Sequence, residues 1–236
     1  KTLLSQYDNL VFEVGMRYGN PSIPSALKKL QAQGCEKIIA FPLYPQYSDT
    51  TTRSTLDVIN KEINSWKKTP ELAFINDYYQ NKGYIQCLAD SVTEHQVKFG
   101  KPEKLMISFH GIPQRFVDDG DVYYDHCVST ATSLAKALKL DDNEYQLCFQ
   151  SIFGREEWVK PHTKASLESL ASEGVSHVQI ICPGFSADCL ETLEEIEEEN
   201  KGYFIEAGGQ TFSYIPALND RDDHIKTLSS IIAQQL

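Results

Sequence analysis

The sequence predicts an α/β protein of two similar units, each a parallel sheet flanked by helices. Three observations carry this. Short apolar runs alternate with amphipathic stretches along the 236 residues. One of these runs, Lys37-Ile38-Ile39-Ala40-Phe41-Pro42-Leu43, is almost continuously apolar, as in a parallel strand covered on both faces. The pattern then restarts near Lys104, after the extended stretch Phe99-Gly100-Lys101-Pro102-Glu103, the best linker candidate.

Each element has its own justification. Residues 10–14 read as a strand. Residues 21–33 read as a helix, with Ile23, Leu27 and Leu30 at helical spacing and Gly34 as the stop. The strand at 37–43 leads into a loop over 44–52, rich in Tyr, Ser and Thr. A helix over 54–66, a strand over 72–75 and a helix over 81–99 follow. In the second half, strands are expected at 104–109, 145–150, 178–182 and 210–215. Helices are expected at 123–138 and 163–173, the latter ended by Gly174. A long acidic helix starts near Ser186, and a closing helix runs from about Asp220.

Composition narrows the function. Thirty-three acidic residues against 22 basic ones give a net charge of −11. Binding a phosphate backbone needs clustered Lys and Arg, so no nucleic-acid partner is expected. The six cysteines form no CxxC pair and no metal-ligand spacing, and read as small buried thiols of a reducing compartment. No signal peptide is visible, and no apolar run reaches the roughly 20 residues that span a bilayer. The expectation is a cytoplasmic protein, with peripheral membrane contact left open. No GxGxxG, GxxxxGK[ST] or GxSxG motif supports dinucleotide binding, phosphate-loop hydrolysis or serine-esterase chemistry.

In parallel α/β sheets ligands bind beyond the carboxyl ends of the strands. Three places there could carry chemistry. His110 ends an apolar run and precedes Gly111-Ile112-Pro113, which continues neither sheet nor helix. An imidazole at this edge can accept a proton or bind a metal near neutral pH, or can be a hydrogen-bonded structural group. Glu191 follows the turn Pro183-Gly184 near the start of the acidic helix, where Ser186 or Asp188 can cap. Asp188, Glu191, Glu195 and Glu198 recur at three- and four-residue spacing and so form one acidic stripe, repelling one another unless solvated or shared with cations or protons. Tyr44 and Tyr47 surround a strand-to-loop turn, where aromatic rings can stack on a flat ligand or pack on their own unit.

Five segments in this order resemble the ferrochelatase family, with the wording of its proteobacterial branch. They are Met16-Arg17-Tyr18-Gly19-Asn20-Pro21-Ser22, Leu43-Tyr44-Pro45-Gln46-Tyr47-Ser48, Ser108-Phe109-His110-Gly111-Ile112-Pro113, Phe149-Gln150-Ser151 with Trp158, and the stretch from Pro183 to Leu193. The resemblance implies two Rossmann-like, chelatase-type domains with a cleft between them. The first is the remainder of an N-terminal domain at 1–80 joined by the helix 220–236, and the second covers 81–219. About 80 further residues would precede Lys1 in relatives, carrying part of the porphyrin pocket.

It implies insertion of Fe2+ into protoporphyrin IX. His110 would be proton acceptor or first metal ligand, and Glu191 its catalytic and metal-holding partner. Arg17, Tyr18 and Tyr44 would lie near the porphyrin. Asp188, Glu195 and Glu198 would conduct protons or metal to solvent. Fe2+ is then a substrate, and no cofactor is required. No Cys follows Cys189, so no [2Fe–2S] cluster is expected. Cys189 stands where many relatives carry His, and Asp49 where several carry Cys. A monomer and a homodimer are both compatible. Two other readings stand beside this one: a tetrapyrrole or metal carrier without insertion activity, and a chelatase for another metal.

Overall fold

The computed structural model describes residue 7 and residues 10–236. The described chain divides into two units. The first holds the described residues up to Pro42, with Tyr47–Asp77 and Ile225–Leu236; the second holds Leu43–Gln46 and Tyr78–His224.

In the first unit, helix α1 (Ile23–Ala32) begins where the Ser22 hydroxyl accepts the Ser25 N–H at 3.3 Å. A proline in its first turn costs nothing, because that N–H would be unpaired in any case. Strand β1 (Lys37–Ala40) stops earlier than its apolar run, since Pro42 has no N–H for a ladder. The residues expected as loop instead form a π-helical turn, Asp49–Arg53, capped by Ser48, which leads directly into α2 (Ser54–Ile63). Strand β2 (Glu71–Phe74) pairs parallel with β1. Ile23 and Leu27 of α1 meet Ile38 of β1 and Ile59 and Ile63 of α2 in the core.

Residues 10–14 are not a strand. No described strand lies beside them to take their backbone bonds, and Val11, Phe12 and Val14 are exposed.

In the second unit, helix α3 (Lys82–Phe99) starts at Asn81, whose Oδ1 accepts the N–H groups of Gly83 and Tyr84. It ends at Gly100, in the left-handed region. Strand β3 (Lys104–His110), a short helix α4 (Gln114–Asp118), α5 (Tyr123–Leu138), β4 (Tyr145–Gln150), α6 (Thr163–Ser172) and β5 (His177–Ile181) follow. Next come α7 (Leu190–Leu193), a π-helical stretch Glu195–Asn200, α8 (Lys201–Glu206) and β6 (Thr211–Ile215). Helix α9 (Asp222–Ala233) opens in this unit and continues, from Ile225, in the first.

The second sheet is wholly parallel, in the order β4-β3-β5-β6. Successive strand residues point to opposite faces. Met106 faces Leu167 of α6 and Phe204 of α8 within one core, while Leu105, Ile107 and Phe109 are buried on the other face, the side of α3 and α5. Both faces are therefore covered, as the long apolar runs require. The linker expected at 99–103 is an internal connection of this unit, joining α3 to β3.

The acidic helix also differs from its expectation. It starts at Leu190, and the π-helical stretch replaces its middle. The wide turn shows in the Glu199 N–H, which donates five residues back to the Glu194 carbonyl at 3.0 Å. The Asn200 amide closes it further on the Glu195 carbonyl at 2.6 Å. The extra residue reconciles two demands. Ile196 must reach the core, where it is fully buried, while Glu195 is drawn toward the end of β4.

Candidate active site

The carboxyl ends of β3, β4 and β5 come together at one edge of the second sheet, and His110, Gln150 and Cys182 stand there. His110 is the last residue of β3. Its Nδ1 lies 2.7 Å from the Gly111 carbonyl oxygen. A carbonyl only accepts, so Nδ1 carries the proton and Nε2 holds the lone pair of the neutral ring. The Phe185 ring lies 6.4 Å from the imidazole. Gly111 follows because its N–H donates to the Gln150 carbonyl at 2.7 Å, and a Cβ there would stand 2.9 Å from that same oxygen.

Three buried tyrosines fix the main chain beneath. Tyr123 donates its hydroxyl to the His110 carbonyl at 2.9 Å, and Tyr84 donates to the Pro183 carbonyl. The Tyr78 hydroxyl meets the Ser186 hydroxyl at 2.9 Å, and Ser186 donates onward to the Leu43 carbonyl. Burial pushes all three phenols upward from their ordinary value, so they stay protonated.

Gln150 ties the strand ends to the acidic segment. Its amide oxygen accepts from Ser108 at 2.9 Å and from the Cys182 thiol at 3.3 Å. Its amide nitrogen donates to the Glu191 carbonyl at 2.7 Å. Glu191, half-buried in the first turn of α7, has its carboxyl held below the ordinary carboxylate range. The Cys189 thiol donating to it is the main cause, and the positive charge His110 bears in its protonated form acts in the same direction. Burial, and then the carboxylate itself, push the Cys189 thiol up to about 11.

The next carboxylate, Glu195, is gripped by Ser151. The Ser151 N–H donates to one oxygen at 2.5 Å and its hydroxyl to the other at 2.6 Å. Ser151 adopts φ +61°, a left-handed backbone that turns both donors to the same side.

Thus His110, Glu191 and Glu195 gather at this edge. Glu198 is exposed further along the π-helical stretch. Asp188 lies before α7 rather than on it, so the stripe inferred from spacing is not one helical face. Its carboxylate turns to Tyr214 of β6 and to Asn219 of the loop that follows, whose hydroxyl and amide each donate to it at 2.7 Å. Tyr44, in the stretch after β1, is 39% exposed. Arg17 and Tyr18 belong to the first unit. There Arg17 donates to the Ser54 hydroxyl at 2.7 Å and lays its guanidinium 4.5 Å over the Tyr18 ring.

Among the described residues no three His, Cys, Asp or Glu side chains gather closely enough to hold a metal ion. No helix among them is long and apolar enough to cross a membrane. Sequence reasoning missed Gln150 and Ser151 as working residues, though both sat in a quoted segment, and missed Asn219 altogether.

Comparison with known proteins adds to this geometry. A family model described as ferrochelatase matches residues 1–236. The chain is 57% identical over 224 residues to a ferrochelatase of Hydrogenovibrio crunogenus, covering 95% of this chain and 59% of that protein. It is 47% identical over 232 residues to that of Proteus mirabilis, covering 98% of this chain and 72% of the relative. Against the ferrochelatase of Yersinia enterocolitica it is 45% identical over 236 residues, covering all of this chain and 73% of the relative. The chain thus spans about three fifths to three quarters of the length of these relatives. Among solved structures, SirB from Bacillus subtilis with Fe3+ superposes with a TM-score of 0.69 at 14% identity, over 99% of this chain and 85% of that one. CbiX, the terminal enzyme for biosynthesis of siroheme in denitrifying bacteria, gives 0.59 at 14% identity, over 91% and 80%. Both likenesses concern the fold: an α/β architecture of parallel sheets flanked by helices.

Proposed function

The chain belongs to the ferrochelatase family, and from that premise we propose that it inserts Fe2+ into protoporphyrin IX to form protoheme, the last step of heme biosynthesis. The single observation that carries this is that the Gln150 side chain, at the end of β4 beside His110, holds the main chain of Glu191 at the same carboxyl edge of the second sheet. The reaction exchanges two pyrrole N–H protons for one dication. It needs a base aimed at the ring and a carboxylate that favours the incoming charge.

The two groups divide that work. His110 keeps its Nδ1 proton on the Gly111 carbonyl and presents Nε2, which takes a pyrrole proton or first meets the metal. Glu191, lowered by the Cys189 thiol, stays ionised and serves better as a hold for the cation than as a store for a proton. Glu195 and Glu198 continue the carboxylates outward along the π-helical stretch and carry protons or metal to solvent. Arg17, Tyr18 and Tyr44 contact the porphyrin. The protein acts in the cytoplasm, with iron as substrate and no resident cofactor.

The test is anaerobic insertion of Fe2+, or Zn2+ as reporter, into protoporphyrin. It is run on this chain and on a form extended to the length of its relatives. His110→Ala is expected to lower kcat by at least about a hundredfold, the scale of a lost general base. A His110→Ala variant at the parent rate overturns the assignment. Porphyrin binding without insertion by either parent form supports a carrier instead.

A further inference from the structure

We propose that Asp188 and Asn219 form a clasp that sets the position of the Glu191 turn, so that both are positioning residues and Asp188 is not a conduit. The inference rests on the reading that Glu191 serves insertion. The spacing of Asp188 with Glu191, Glu195 and Glu198 suggests a carboxylate in a relay, and a relay needs an acceptor with room for a proton or cation. The Asp188 carboxylate is instead tied on both oxygens to neighbouring protein donors. One oxygen accepts from the Tyr214 hydroxyl at 2.7 Å and the Ala217 N–H at 3.2 Å, and lies 3.1 Å from the Thr192 hydroxyl, whose one proton it shares with the Cys189 carbonyl, also at 3.1 Å. The other accepts from the Asn219 amide at 2.7 Å.

Asn219 in turn grips the segment at three points. Beyond that bond, its amide oxygen accepts the Asp188 N–H at 2.9 Å, and its own N–H donates to the Ser186 carbonyl at 3.0 Å. It does so from a left-handed backbone, φ +47°, a conformation Asn tolerates better than most residues. Buried His224 holds the Asn219 carbonyl from behind, Nδ1 to oxygen 2.9 Å. The clasp reaches the catalytic turn by Thr192, which bonds Asp188 and whose oxygen also accepts the Cys189 N–H at 3.0 Å. Cys189 is the thiol that donates to Glu191. Burial by itself would raise the Asp188 carboxyl; the donors from Asn219, Tyr214, Ala217 and Thr192 outweigh it and hold it below the ordinary range.

Exchange of the two side chains separates positioning from conduction. Asp188→Asn and Asn219→Asp are made singly and together in the form extended to the length of the relatives. They are assayed for Zn2+ insertion and for hydrogen exchange at the amides of 189–193. Each single change mismatches a donor or an acceptor. It is expected to lower kcat between about tenfold and a hundredfold, the cost of a small misplacement, with porphyrin KM unchanged and those amides deprotected. The exchanged pair again sets amide against carboxylate, without the Asn219 amide's second bond to the Ala217 carbonyl at 3.0 Å. It is expected to recover most of the lost kcat, to within about fivefold of the parent, and to restore protection. A conduit would not be restored, because its carboxylate would have moved to position 219. Parent-like kcat in Asp188→Asn, or an exchanged pair that regains protection but not turnover, overturns the proposal. A parent that inserts no metal overturns the insertion reading alone, and the exchange measurement still decides the clasp.

Discussion

At the scale of single residues, what matters is which polar group each side chain satisfies. His110 was legible in the sequence because it ends an apolar run, and Glu191 because it opens a helix after the turn that follows one, both where a parallel sheet places its ligand edge. Gln150, Ser151 and Asn219 were not, since their partners lie 41, 44 and 31 residues away in the chain. Nothing local marks such a bond, and a left-handed Ser151 breaks the propensity of its type. Asp188 offers a test at this scale. In the folded chain its carboxyl titrates below the ordinary 3.8. A depressed carboxyl stabilises the fold above its unfolded value, and that contribution is lost as pH falls through the folded value. The expected outcome in thermal melts is that the parent's advantage over Asp188→Asn is complete above about pH 5 and narrows below about pH 4. An advantage that is flat with pH contradicts the hydrogen-bonding account.

At the scale of elements, the strands after residue 100 follow their apolar runs closely, because a buried parallel strand advertises itself by composition. The acidic helix does not. Its charges repeat at three and four residues, which a regular helix and one holding a π-helical stretch share. What sets the wide turn is tertiary: the burial of Ile196 and the grip of Ser151 on Glu195. Residues 10–14 show the converse, a strand-like composition with no described strand beside it. The end of α8 is correspondingly exacting. Phe204 is fully buried against Phe212, and a Cβ on Gly209 would stand 2.2 Å from the Phe204 ring. Gly209→Ala is expected to cost about 1–3 kcal/mol in denaturant melts, the usual price of overpacking. A smaller loss would mean that the ring can turn aside.

At the scale of the whole molecule, a net charge of −11 draws dications and repels anions. Raising ionic strength from about 0.01 to 0.15 M shortens the Debye length from roughly 30 to 8 Å. The expected outcome in steady-state kinetics is a several-fold fall in kcat/KM for Zn2+ with kcat unchanged; no change assigns metal capture to the local carboxylates alone. The order of the second sheet has a further consequence, in time rather than in space. His110 sits on β3, an inner strand, yet its neighbours β4 and β5 both come later in the chain. A ribosome adding about 5–20 residues per second makes His110 several seconds before Glu191, and Asn219 later still. During synthesis the imidazole therefore waits on an unpaired strand, and a nascent chain stopped at residue 200 would hold every nominated ligand but not the loop that fixes Asp188.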